Sequence, residues 1–293
     1  MQTIRIAAVA AFALSGVSHA ALPPPAPGPE SWEFRKELQQ EEPYNAKEAY
    51  RLDDRYGLEG NLETVKSDLE RFFASAGKPA EKTLRLIRAD VDGRESYRID
   101  VAADGSVEIA AGDDDGMRRA AYYFQDRLSA GDLRSCRRRP WLSKRISRCY
   151  FSPIKRPPFN RDELADDIDY YPEAYLNRLA HEGVNGLWLT VELRDVVETS
   201  FAPRREGAEK RLAKLRRTVE KCNRYGIRTW IFGIEPRFFA ADDPLVKEHP
   251  DMFSDSVNAF GCRLLCPSSP KARRYIEESL ADLFRQVPGC RDS

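Results

Sequence analysis

The chain has 293 residues, 42% of them hydrophobic and 10% aromatic, enough apolar material for one large core or two modest ones, which excludes a disordered chain. Forty-seven Lys and Arg against 47 Asp and Glu give a formal net charge of zero, which removes the basic footprint of a nucleic-acid binder. With 17 Gly, 19 Pro and no apolar run near the ~20 residues of a membrane span, collagen-like and polytopic membrane classes also fall away, leaving a globular α/β or α+β protein.

The first twenty residues read as an address. Arg5 precedes an apolar stretch from Ile6 to Val17, and Ser18-His19-Ala20 places small residues where a signal peptidase cuts. The expectation is cleavage after Ala20 and export to a periplasmic or secreted location. Leu22 to Pro29 follows as a stiff Pro-rich spacer, within a 21–59 segment of spacer and N-terminal chain.

Residues 60–133 form a small α/β block. Leu62, Val65, Leu69, Phe72 and Phe73 recur at helical spacing behind an Asn61 cap, and Gly77 ends the run. Thr83–Ala89, Tyr97–Val101 and Val107–Ala111 alternate as strands, the last two joined by a tight Asp104-Gly105 turn. Asp113-Asp114-Asp115 loads the start of a second helix striped by Met117, Ala120, Ala121, Phe124 and Leu128. Capping accounts for the acidic triplet better than a metal loop does. The Arg-rich stretch 134–144 reads as a connector that is solvated or bridges two domains.

From 145 to 293 a repeat decides the fold class. A helix opened by Pro172 and closed by Gly183 feeds the apolar strand Val184–Val191, which ends at Glu192. A second helix, with Leu212, Leu215, Val219 and Cys222 on its stripe, closes at Gly226 and feeds Ile227–Ile234, which ends at Glu235. Strands this apolar are buried on both faces, which implies parallel βαβ units, with Ile146–Phe151 as the first strand. A third long helix starts at Pro270, with Tyr275, Ile276, Leu280, Leu283, Phe284 and Val287 on its buried face and Gly289 as its cap.

The carboxyl ends of parallel strands are where barrel enzymes carry their chemistry. Arg148, Tyr150, Lys155 and Arg156 gather at the first end, Glu192, Arg194 and Asp195 at the second, and Glu235, Arg237 and Asp242 at the third. Aromatic faces with carboxylates and guanidinium groups suit a sugar cleft, so Arg148, Tyr150, Arg194, Asp195 and Arg237 are the expected substrate contacts; ordinary salt bridges at the rim are the alternative. Glu192 and Glu235 could lie within the roughly 5 to 5.5 Å of a retaining carboxylate pair, since adjacent strands are ~4.8 Å apart. His181 near a helix end reads as a partner of the helix dipole, and His249 lies in a polar loop.

Six cysteines are present. Cys149 and Cys222 read as small buried hydrophobes, and Cys262 and Cys266 suit a local disulfide better than a metal site. No metal and no cofactor is indicated: GxSxG, HExxH and Gly-rich phosphate loops are all absent from the sequence.

The segments DGSVEIAAGDDDGMRRAAYYFQDRL, RISRCYFSP, YLNRLAHEGVNGLWLTVELRD and EKCNRYGIRTWIFGIEPRF resemble exported family-20-type glycoside hydrolases, the β-N-acetylhexosaminidases, with a neighbouring resemblance to family-67 α-glucuronidases. The resemblance implies a small zincin-like α/β domain followed by a (β/α)8 TIM-type barrel, hydrolysis of glycosidic bonds and a glycan substrate. In that family an adjacent Asp-Glu pair closing the fourth barrel strand does the catalysis. Here Cys290-Arg291-Asp292-Ser293 stands where that strand is expected, and a closed barrel typically needs ~250 residues against the 150 from Lys144 to Ser293. The expectation is therefore an incomplete barrel in a truncated chain, inactive alone, with an exposed edge that invites self-association. A non-catalytic carbohydrate-binding module is the other reading.

Overall fold

The computed structural model describes residue 40 and residues 43–148, 161–235, 239–258 and 261–290, with the side chains of Arg148 and Cys290 excepted. The signal-peptide, Leu22–Pro29 and Cys149 expectations lie outside the described residues.

The first block is a five-stranded sheet with two helices. Its strands are β1 (Tyr50–Asp54), β2 (Lys82–Arg88), β3 (Tyr97–Val101), β4 (Val107–Ala111) and β5 (Cys136–Arg138), in the order β1-β2-β4-β3-β5. β1, β2 and β4 run parallel, while β3 is antiparallel to β4 and β5. Period-2 alternation sends Leu84, Leu86, Ile99 and Ile109 inward, all fully buried. Helices α1 (Glu63–Ser75) and α2 (Asp114–Ala130) contribute Val65, Leu69, Met117 and Phe124 to the same core.

Several boundaries differ from the sequence reading. The 21–59 segment contains β1, and the 134–144 connector begins with the edge strand β5. Both are short and charge-rich, and in-register pairing with β2 and β3 holds them rather than their own hydrophobicity. Asn61 does not cap α1, because a single 3-10 turn, Gly60–Leu62, precedes that helix. Asp113 does cap α2, accepting from Gly116 N–H at 2.6 Å, and its other oxygen accepts from Glu95 N–H at 2.9 Å. Arg145, at the start of the second block, ion-pairs with the buried Glu95 of the first at 2.6 Å.

The second block contains the three parallel strands that the repeat implies: β6 (Ile146–Arg148), β7 (Gly186–Val191) and β8 (Arg228–Gly233), with β7 in the middle. Helices α3 (Glu173–His181) and α4 (Ala208–Arg224) cover one face, where Leu187, Leu189 and Val191 are buried. Gly183 and Gly226 close the turns into the strands at φ +80° and +69°, where a β-carbon would be strained. Beyond β8 lie two short strands paired antiparallel, β9 (Phe239–Ala240) and β10 (Cys262–Arg263), with the one-turn helix α5 (Pro244–Glu248) between them in sequence. Helix α6 (Pro270–Gln286) is capped by Ser269. Tyr275, Leu283 and Val287 are buried as expected, joined by Ala272, Ser279 and Asp282, whereas Leu280 of α6 is exposed. Cys262 and Cys266 form no disulfide with each other. Extended chain between them spans about 13 Å, far beyond a disulfide's reach.

One hydrophobic core runs through both blocks, and polar groups stitch their junction. Asp68 of α1 is fully buried and accepts from Gln125 Nε2 (2.8 Å), Asn177 Nδ2 (2.8 Å) and the Tyr44 hydroxyl, with His181 Nε2 at 3.0 Å. His181 also stacks on Tyr122, their rings 3.9 Å apart, so it serves this junction through its own side-chain contacts.

Candidate active site

The described rim at the carboxyl ends of β7 and β8 is built around two glutamates. β7 runs into a 3-10 turn, Leu193–Asp195, and Glu235 follows β8. Both Glu235 oxygens receive backbone donors from that turn, Leu193 N–H at 2.9 Å and Arg194 N–H at 3.0 Å. The carboxylate therefore ties the end of β8 to the loop leaving β7. It is only 8% exposed, and burial raises its proton affinity while the two amides pull the other way.

Glu192 has a different environment. Its Oε2 accepts from Arg194 Nη2 at 2.9 Å. Burial pushes its carboxyl up to about 7, with Arg194 opposing and the nearby negative charges of Asp195 and Glu235 adding to the rise. Burial leaves the Glu235 carboxyl raised despite its two amides, and Glu192, raised to about 7, is a carboxyl that takes up a proton near neutrality. Such a group can donate a hydrogen bond, or a proton, to an oxygen placed beside it.

Arg194 and Asp195 are locked from several sides. The Arg194 guanidinium sits 4.7 Å from the Phe239 ring centroid, and Arg205 bridges Asp195 at 3.3 Å and Asp243 at 2.6 Å. Tyr275 of α6 is buried below, edge-on to Phe239 at 6.2 Å. Helix α6 also holds the loop after β7. Its buried Asp282 accepts from Glu198 N–H (2.9 Å) and Arg204 (3.0 Å), and Glu278 accepts from Ser200 N–H (2.6 Å).

Of the sequence-derived site residues, Glu192, Arg194, Asp195 and Glu235 come together here. Arg148 ends β6 with its backbone in register with Trp188. Tyr150 and Arg237 lie outside the described residues, as do Lys155 and Arg156. Asp242 is exposed in the turn after β9 while its neighbour Asp243 caps α5 and binds Arg205. The sequence reading missed Arg205, Phe239, Asp243 and Tyr275 as parts of this rim. Only the Asp-Pro start of α5 marked one of them, since an Asp before Pro is a helix-cap signal. Among the described residues no cluster of His, Cys, Asp and Glu suits a metal ion.

A cavity of about 470 Å³ lies apart from this rim, at the junction of the blocks, where Tyr44, Gln125, Asn177 and His181 line it. All four direct a polar group to Asp68, so their arrangement is explained by holding the two blocks together.

No family model matches the chain, and no curated protein matches it. Solved structures do. The chain superposes with a TM-score of 0.58 on a family-138 glycoside hydrolase that targets pectin rhamnogalacturonan II, at 13% identity over 81% of this chain and 29% of that one. It matches the β-N-acetylhexosaminidase of Bacteroides fragilis NCTC 9343 at 0.53 (11% identity, 85% of this chain, 53% of that one). It also matches the family-20 chitobiase of Flavobacterium johnsoniae at 0.53 (14% identity, 85% and 41%). At such identities the likeness is one of fold, and the chain spans about half the length of these enzymes or less.

Proposed function

We propose that this chain acts on carbohydrate as part of a β-N-acetylhexosaminidase-like glycoside hydrolase. In this reading residues 60–133 belong to a zincin-like domain, β6 to β8 are the first strands of a (β/α)8 barrel, and residues 1–20 direct export. The Glu192, Arg194 and Asp195 rim contacts the sugar. Glu192, protonated near neutrality, donates to a sugar hydroxyl or glycosidic oxygen, and Glu235 positions the turn that carries Arg194.

A single observation carries the reading. A half-buried carboxyl held near neutrality and paired with an arginine stands at the carboxyl end of a parallel strand, the end where barrel folds carry their chemistry. The glycoside-hydrolase fold of the structural neighbours supports the substrate class.

The test is binding of N-acetylglucosamine and release of nitrophenol from an aryl N-acetyl-β-glucosaminide, by the wild type and by Glu192→Gln. Binding or turnover that falls at least about tenfold in the variant is the expected result, a loss of 1.4 kcal/mol or more. Neither binding nor turnover in the wild type refutes it. A second reading, a binding module without turnover, is favoured by the engagement of both glutamates with protein donors. Binding without nitrophenol release would select it.

A further inference from the structure

A second cleft, of about 480 Å³, opens just before β6 begins, at the end of the strands opposite the Glu192 rim. Trp141 forms one wall and is 98% exposed, beside Leu142 at 61%. A whole indole in water forgoes the largest apolar burial any side chain offers, and two adjacent exposed apolar side chains mark a contact surface more readily than one does. Arg94 and Arg139 line the same cleft, both exposed. Neither makes a hydrogen bond or ion pair with any described residue. Other arginines nearby are engaged: Arg98 is held by Asp100, Arg127 by Asp132 and Arg145 by Glu95.

The loop that carries Trp141 is braced. Arg145 Nη1 donates to Leu142 O at 2.6 Å and Asn185 Nδ2 to Ser143 O at 2.8 Å. The same two side chains are tethered to the buried Glu95, Arg145 through Nη2 and Asn185 through Nδ2 at 3.1 Å. Glu95 sits at φ +57°, a left-handed conformation that costs a non-glycine residue on the order of 1 kcal/mol or more. Glu95 and its neighbour Arg94 both line the cleft, and the buried Glu95 carboxylate is engaged by the brace. Pro140 restricts the approach to Trp141 from the other side. The indole and the two guanidinium groups are thus displayed on an ordered frame, which lowers the entropy lost when a ligand binds.

The geometry points to this cleft as a binding site for an anionic polysaccharide, with a sugar ring stacked on Trp141 and its carboxylate or sulfate groups on Arg94 and Arg139. A flat indole face offers a broad apolar platform to the C–H face of a pyranose, and two unpaired guanidinium groups select negative oxyanions in fork geometry. Glu95 adds no competing charge, since its carboxylate is consumed by Arg145 and Asn185. The site is separate from the Glu192 rim and stands whether or not that rim hydrolyses anything.

Native electrophoresis of the full chain through gels containing polygalacturonate, heparin, neutral dextran or poly-glutamate tests it. Polygalacturonate or heparin should retard the wild type while dextran leaves it unretarded. The better retardant of the two tells whether carboxylate or sulfate is the preferred anion. Trp141→Ala and the double variant Arg94→Ala/Arg139→Ala should each weaken retention at least about fivefold, with unchanged thermal unfolding because all three residues are exposed. The proposal is overturned if neither acidic polysaccharide retards the wild type or if Trp141→Ala binds as well as the wild type. It is overturned equally if poly-glutamate retards the protein as strongly as the polysaccharides, which would reduce the site to charge attraction.

Discussion

Replacing Asp68 by Asn tests whether the junction between the two blocks rests on one buried carboxylate. Tyr44, Gln125, Asn177 and His181 all direct a polar group to it, from the segment before β1, from α2 and from α3. An asparagine keeps the shape, but its single oxygen cannot serve four donors, and its NH2 faces donors. Leaving buried donors unmet costs about 1–3 kcal/mol each, so two unmet donors cost about 3–5 kcal/mol in all. At roughly 2–4 °C per kcal/mol for a chain of this size, the thermal midpoint at pH 7 should fall by about 10 °C. The pH dependence carries a sign. Burial pushes the Asp68 carboxyl up, but the His181, Tyr44 and Gln125 hydrogen bonds outweigh it and hold the carboxyl below the usual range. A depressed folded value adds stability above the unfolded value and loses it as pH falls through the folded one, so wild type and variant should converge in acid. Circular dichroism melts of both proteins between pH 3 and 8 measure this. A midpoint shift under about 3 °C at pH 7, or a gap that widens in acid, would refute the reasoning.

Three further outcomes follow. Glu192 is raised to about 7 in the folded chain, so its protonation adds stability at low pH that is lost as pH rises toward 7; Glu192→Gln should gain stability relative to wild type at pH 8 and not at pH 4, measured by urea titration. Gly226→Ala forces a β-carbon into a left-handed turn and against Arg118, which donates to Thr64 Oγ1 and Arg224 O, so it should cost about 2–3 kcal/mol in the same assay. Asp282→Asn loosens the loop held to α6 through Glu198 and Arg204, and limited proteolysis should then cut within residues 196–207 several times faster than in the wild type.

The second block was legible because its signals are local and repeated. A left-handed glycine, an apolar run and a terminal glutamate recur at Gly183–Glu192 and Gly226–Glu235, and each sign maps onto a turn, a parallel strand and a rim residue. β1 and β5 escaped notice for the opposite reason. Tyr50–Asp54 and Cys136–Arg138 are half charged and short, and their strand character comes from partners remote in sequence, Lys82–Leu86 and Tyr97–Ile99. Edge strands of this kind carry little hydrophobic periodicity, since one side of each faces solvent.

The site divides along the same line. Position at a strand end was enough to nominate Glu192 and Glu235, but their difference in role was invisible, because Glu235 acquires its role from backbone donors 42 and 41 residues away in the chain. Glu235 is occupied by the amides of the turn after β7, and Glu192 is left with one guanidinium and two negative neighbours. The sequence could state that two carboxylates share a rim. How strongly each one holds a proton is set by donor count and burial, quantities that exist only once β7 and β8 lie side by side. Exchanging the two environments, rather than the two residues, is what would exchange the roles.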